Sequence, residues 1–236
     1  RFSEISSHPK GSVFATILFI MKALGFSFKA TLFILIITVD LLLLFVSKHL
    51  TERRLFYIII FCYIQWNYAF FSTSIYLIRQ SIAMSLAMFG LFAVKKHLFR
   101  LFFIIFSAAI HPVSLIVLIS YAAYRINRYI FLTLSTIFIF VVRDYFSKIQ
   151  VPVDLVEIGG MHILVFYIIL MTSLCLFFLR IRDKGAYVLL SFSVFLIAFQ
   201  SIDLVFYRII LASYFIALPL ISIYFINGLR HLHTKL

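Results

Sequence analysis

Long apolar runs divided by short basic turns constrain this chain more than any other feature. Residues Ile78 to Leu118 show the pattern: two apolar stretches flank a turn carrying Lys95, Lys96, His97 and Arg100. A helix needs about 20 mostly apolar residues to cross the hydrocarbon core of a bilayer. Segments of that kind fall at roughly 31–47, 55–71, 75–94, 129–143, 162–179, 186–200 and 205–227. The fold class expected is therefore all-α: a polytopic transmembrane bundle of about seven spans. Residues 11–27 are apolar but hold Lys22 and two glycines, which suits an interfacial or partly inserted helix and not a full span.

Composition agrees. The chain is 64% hydrophobic and 12% charged, where soluble domains carry about 25% charge. Its formal charge of +13 does not point to nucleic acid. The basic residues cluster in loops between apolar runs, as membrane orientation requires, and form no phosphate-tracking face. Cys62 and Cys175 stand singly in apolar runs and read as small hydrophobes, not as a disulfide or a thiolate site. No signal peptide with a cleavage site, long linker or repeat stands out. The whole of 1–236 reads as one integral membrane domain, and the start at Arg1 suggests a piece of a longer chain.

Residues 99–124 are too long for one upright span and are broken by Pro112, which removes a helix hydrogen bond and disfavours helix just before it. They form either one tilted, kinked span or two half-length helices that enter and return on the same side. Loop charges choose between these. Lys48, Arg53 and Arg54 mark one loop; Lys95, Lys96 and Arg100 a second; Arg125 and Arg128 a third. Arg180, Arg182 and Lys184 mark a fourth, and Arg230 and Lys235 the tail. All of them lie on the cytoplasmic side only if 99–124 is a re-entrant pair with His111 and Pro112 near its tip. Irregular backbone at that depth must be satisfied by protein or by a wet cavity.

Helix rise then sets depths. Arg79 stands about 24 Å from the inner boundary, Arg208 about 30 Å and His111 about 18 Å, in a core about 30 Å thick. All three fall in the outer half. Ala83, Ala87 and Gly90 follow Arg79 at helical spacing and form a face of small residues suited to helix packing. That turns Arg79 into the bundle; the alternative is a side chain that snorkels to the outer headgroups. The same two readings apply to Arg208. His111 is either a helix-breaking core histidine satisfied by a backbone carbonyl or a reactive group at a helix break. Asp40 lies near mid-membrane, paired or protonated. Asp144, Asp154, Glu157 and Asp203 are outer-side carboxylates, of which Asp144 and Asp203 are the candidate bases or supports, and Arg143 beside Asp144 suits an interfacial ion pair. His231 and His233 read as solvated. No set of carboxylates or histidines has metal-ligand spacing, and there is no P-loop, dinucleotide turn or nucleophile elbow. No cofactor is expected.

Several short motifs follow one another in order: Ile78-Arg79-Gln80 with Ile82-Ala83, the basic turn at Lys95-Lys96, Ala108-Ala109-Ile110-His111 with Ser114, and Tyr207-Arg208-Ile209 with Tyr214-Phe215 and Pro219. In these the chain resembles the EpsG-like branch of the Wzy-type polysaccharide polymerases (O-antigen, capsule and exopolysaccharide). Members are longer at the amino terminus, so spans before Arg1 are expected. The resemblance implies a multi-pass membrane glycosyltransferase of the bacterial inner membrane. Such an enzyme joins undecaprenyl-diphosphate-linked oligosaccharide repeat units on the outer face. Its partners would be the lipid-linked oligosaccharide, the bilayer, and a flippase and chain-length regulator of the same pathway.

In that reading Arg79, Arg208 and His111 are catalytic. Arginine forks neutralise the diphosphate as the glycosidic bond breaks, and His111 is a candidate base for the acceptor hydroxyl. Arg79, Gln80, Tyr207, Arg208 and Ser114 bind substrate. A single displacement would invert the anomeric carbon. A transporter or flippase for polyprenyl-linked sugars would need buried cations too, but such proteins often show breaks in matching halves, and only one break is visible here. A non-catalytic membrane subunit is the third reading.

Overall fold

The computed structural model describes residues 12–50, 78–125, 160–179, 181, 183–199 and 203–233. Among them every regular element is helical. The chain divides into two compact units, Arg1–Leu115 and Ile116–Leu236. No shift of composition marks that division within the expected single domain.

The first unit opens with α1 (Ser12–Ala23). Gly25 ends it in the left-handed conformation, at φ 84°. The Gly25 N–H reaches the Lys22 carbonyl and the Phe26 N–H reaches that of Met21, the paired bonds of a Schellman stop. Ser27 then caps α2 (Phe28–Leu50), its Oγ accepting from the Ala30 N–H at 3.2 Å. Leu35, Val39, Leu43 and Val46 form the buried stripe of α2, while Phe33, Ile37, Leu41 and Phe45 are exposed on its other side. A helix apolar all round has no face suited to water. This one has the length and apolarity to cross a membrane.

Helix α3 (Ile78–Met88) packs between α2 and α4 (His97–Ile110). Ala83 and Ala87 on α3 have no exposed surface, so the small-residue face is an interface, as its spacing indicates. The face ends at Gly90, where a Cβ would stand 2.8 Å from Phe103 Cβ and 3.2 Å from the Arg100 carbonyl oxygen. There α3 widens into a π turn, Phe89–Ala93, and the Val94 N–H reaches back five residues to the Phe89 carbonyl. The turn brings the Phe89 ring between α2 and α4, edge-on to Phe45 at 6.4 Å and to Phe103 at 5.3 Å. Arg100 secures the reversal that follows: its Nε and Nη2 donate to the Val94 carbonyl at 3.1 and 2.7 Å. Arg100 thus fastens the basic turn as well as contributing to its charge.

The second unit holds α5 (Leu115–Arg125) from Ile116 onward, α6 (Gly160–Phe178), α7 (Lys184–Phe199) and α8 (Asp203–His233), the last three packing on one another. The α6–α7 seam carries a buried polar tie, Ser193 Oγ donating to Ser173 Oγ at 2.7 Å. Asp183 caps α7, accepting from the Ala186 N–H at 2.8 Å and from the Tyr224 hydroxyl of α8. Gly185 is needed beside it, because a Cβ there would meet Tyr224 Oη at 2.5 Å.

The helices at 31–47, 162–179, 186–200 and 205–227 are present, with α8 running on through Gly228 to His233. Within the apolar stretch 11–27 a helix covers Ser12–Ala23. The segment 99–124 is broken as Pro112 requires. Helix α4 stops at Ile110, a 3-10 turn covers Pro112–Ser114, and α5 begins at Leu115. The expected spans 55–71 and 129–143, and the Arg143–Asp144 pair, lie outside the described residues. Asp40 is half-buried on α2.

Candidate functional site

The break after α4 is the point where chemistry-bearing residues meet. Ile110, the last residue of α4, is fully buried, and its carbonyl lies past the final helical hydrogen bonds. Arg79 fills that vacancy: its Nε donates to the Ile110 oxygen at 2.7 Å, across 31 residues of sequence. The pairing is favourable twice over. A cation complements the negative end of a helix dipole, and a charged donor shortens and strengthens the bond. Arg79 is half-buried, with Gln80 and Ser81 behind it on α3 at 2% and 0% exposure. The guanidinium Nε is thus turned toward the end of α4.

His111 is the next residue along. Its backbone is extended (φ −149°, ψ 127°), which ends α4, and its N–H still donates to the Ser107 carbonyl at 3.0 Å. Pro112 suits the first position of the turn, since its missing N–H is one that a helix start would leave unpaired. The side chain of His111 then caps that turn. Nδ1 accepts from the Val113 N–H at 3.2 Å. The His111 carbonyl accepts twice, from the Ser114 N–H at 3.1 Å and from the Ser114 hydroxyl at 2.8 Å. Ser114 is fully buried. Its hydroxyl hydrogen is committed to the His111 carbonyl, so the turn explains this residue without a substrate contact.

Arg79, Gln80, His111 and Ser114 therefore belong to one unit, and Arg79 and His111 are joined through the Ile110–His111 peptide. Arg208 and Tyr207 belong to α8 of the second unit, where Arg208 is exposed and Tyr207 is partly buried. Asp203 opens α8, and Asp144 lies outside the described residues. Among the described residues no group of three His, Cys, Asp or Glu side chains could hold a metal ion. A shallow, half-open recess lies in the second unit, lined by residues such as Ser173, Phe177, Tyr187 and Leu190. None of the sequence-predicted site residues lines it, and its lining carries no cation.

Three features of the site were not foreseen from sequence. They are the Arg79 bond to a helix-end carbonyl, the capping role of the His111 ring and the inward commitment of Ser114. A Pro two or three residues before a Ser is a signal for the last of these, because a short turn offers its hydroxyl an upstream carbonyl.

No curated protein and no solved structure matches the chain. The model of the EpsG family matches residues 3–160, which is two thirds of the sequence. That stretch contains Arg79, Gln80, His111 and Ser114, and ends before Tyr207 and Arg208. The chain belongs to the EpsG family, which is associated with polysaccharide polymerases of the Wzy type.

Proposed function

We propose that this chain is a multi-pass enzyme of the bacterial inner membrane that polymerises undecaprenyl-diphosphate-linked oligosaccharides on the outer face. The observation that carries the reading is the Arg79 guanidinium held at the end of α4, one peptide from His111, in a member of the EpsG family. In the reaction, a hydroxyl oxygen of the acceptor unit forms a bond to the anomeric carbon of the growing chain. The bond from that carbon to the diphosphate oxygen breaks and its electron pair leaves with the carrier. The acceptor proton passes to a carboxylate or to water.

Negative charge thus grows on the diphosphate. A guanidinium offers five N–H donors in a fixed fork, and Nε holds the Ile110 carbonyl. The terminal nitrogens suit a diphosphate oxygen pair, and in a dry site the attraction is far stronger than in water. The helix-end carbonyl holds the fork in place before substrate arrives, which is the preorganisation that electrostatic catalysis requires. Support also comes from the apolar flanks of α2 and α4, which suit lipid and a polyprenyl tail. Arg208 is a second candidate cation.

The test uses a strain lacking the protein, complemented with wild type or Arg79→Ala. Wild type restores long surface polysaccharide. Arg79→Ala leaves single repeat units on the outer face, at equal protein in the membrane. Long chains from the Arg79→Ala strain contradict the assignment, and repeat units trapped inside a strain lacking the protein favour a flippase.

A further inference from the structure

We infer that the recess between α6 and α7 seats one acyl chain of an anionic phospholipid, whose phosphate meets the basic residues gathered at that end of the second unit. This rests on the multi-pass membrane part of the reading above and not on the polymerase chemistry. Leu176 and Phe177 at the end of α6, Ile181 in the turn, and Tyr187 and Leu190 at the start of α7 line the hollow. It is half-open and apolar, which suits a hydrocarbon chain that continues into the surrounding lipid better than a compact polar solute. Beside it Phe178 and Leu179 are 75% and 70% exposed, a surface fit for hydrocarbon. Ser173 in the lining is spent within the protein, donating to the Ile169 carbonyl at 2.7 Å and accepting from Ser193. Tyr187 is the other polar side chain of the lining; it is 7% exposed, and among the described residues its hydroxyl has no hydrogen-bond partner.

Contacts between helix ends gather charge around this hollow. Tyr124, in the last turn of α5, meets Tyr187 edge-on with ring centroids 6.0 Å apart. Tyr224 of α8 donates its hydroxyl to Asp183, the residue before α7. The sequence beside these contacts carries Arg125, Arg128, Arg180, Arg182, Lys184 and Arg230. Arg125 is exposed at the end of α5. Asp183 is the one acidic residue in those stretches, and it is engaged by the Ala186 N–H and by Tyr224. In the topology that loop charges select, this is the cytoplasmic end, where the leaflet is anionic and basic clefts between helices take lipid headgroups. Tyr187 lies three residues beyond Lys184, about 4.5 Å deeper along the helix. That is one layer below the charge, where a phospholipid places its glycerol esters beneath its phosphate. An ester carbonyl there supplies the acceptor that the Tyr187 hydroxyl lacks within the chain.

The test reads lipid binding at the recess by fluorescence quenching. The only tryptophan is replaced by Trp66→Phe, and Phe177→Trp places a reporter in the lining. The full chain is reconstituted into vesicles of brominated phosphatidylglycerol or brominated phosphatidylcholine. Phosphatidylglycerol should be preferred at the recess by about fivefold or more, and Arg125→Gln should reduce that preference by about fivefold, the worth of one basic side chain near an anionic surface. Arg125→Lys should keep it. Tyr187→Phe should weaken both lipids by about twofold to tenfold and leave the preference unchanged, because both carry the ester. Phe178→Trp, outside the recess, reports ordinary boundary lipid and should show a smaller preference. Equal quenching by the two lipids, or an equal preference at positions 177 and 178, overturns the inference.

A second measurement needs no variant. Wild-type protein released from nanodiscs of mixed phosphatidylglycerol and phosphatidylcholine into a mass spectrometer should retain phosphatidylglycerol in preference. Release without lipid, or with phosphatidylcholine alone, overturns the inference even if every variant folds poorly. Displacement of phosphatidylglycerol from the reporter by trace undecaprenyl phosphate would give the recess to the carrier and overturns it too. Neither measurement uses polymer synthesis, so a wild type that makes no chains removes the polymerase reading and leaves this result standing, and a failure here leaves the polymerase reading standing.

Discussion

Two arginines in the first unit both donate to helix-end carbonyls, and they separate function from architecture at the scale of single residues. Arg100 spends two donors on the Val94 carbonyl within its own turn. Arg79 reaches across to Ile110, beside the histidine. Arg100→Ala should lower stability by about 1.5–3 kcal/mol, the range for a hydrogen bond to a charged group, seen as an earlier melt in detergent. Arg79→Lys keeps the charge but loses the planar fork, so long-chain synthesis should fail while the melting temperature moves little. Normal chain lengths from Arg79→Lys would show that charge alone suffices. Ser114→Ala removes one bond from the turn and should cost about 1 kcal/mol, with a larger fractional loss of rate than of folded protein. Equal losses of both would make Ser114 purely structural. Residue identity alone pointed to Arg79 and His111, because an ionisable group among apolar residues is costly and rarely idle. Their partners were hidden, since a carbonyl or a backbone N–H is the same at every position and only the chain path brings it near.

At the scale of elements, apolar run length and proline placement carried most of the fold. Helices α2, α6 and α7 lie where continuous apolar sequence put them, and the break at His111 lies where Pro112 demanded it. The π turn at Phe89–Ala93 was not legible, because it depends on seating Phe89 between Phe45 and Phe103, and that is a tertiary demand. Gly90 was legible as part of a small-residue face, but the reason for its size lies in α4. Gly90→Ala places a Cβ 2.8 Å from Phe103 Cβ, so α3 and α4 must part. Overpacking of this kind costs about 1–3 kcal/mol, and a melt in detergent should register it. An unchanged melt would mean that the two helices yield freely.

For the whole molecule, membership of the EpsG family suggests a polysaccharide polymerase role, and the regular elements among the described residues are all helical. Helix α2 has the length to cross a bilayer by itself, whereas α4 and α5 are half-length pieces of 14 and 11 residues. The re-entrant arrangement expected from the loop charges predicts that positions 95 and 128 face the same side of the membrane. Cysteines introduced at these two positions should react alike with an impermeant reagent; labelling on opposite sides would remove the re-entrant arrangement. The most direct measurement of the central claim uses purified protein in nanodiscs, supplied with undecaprenyl-diphosphate-linked repeat units and with products sized on a gel. The account predicts a ladder of long chains from wild type and unextended units from Arg79→Ala. A ladder from Arg79→Ala as long as that of wild type would contradict it.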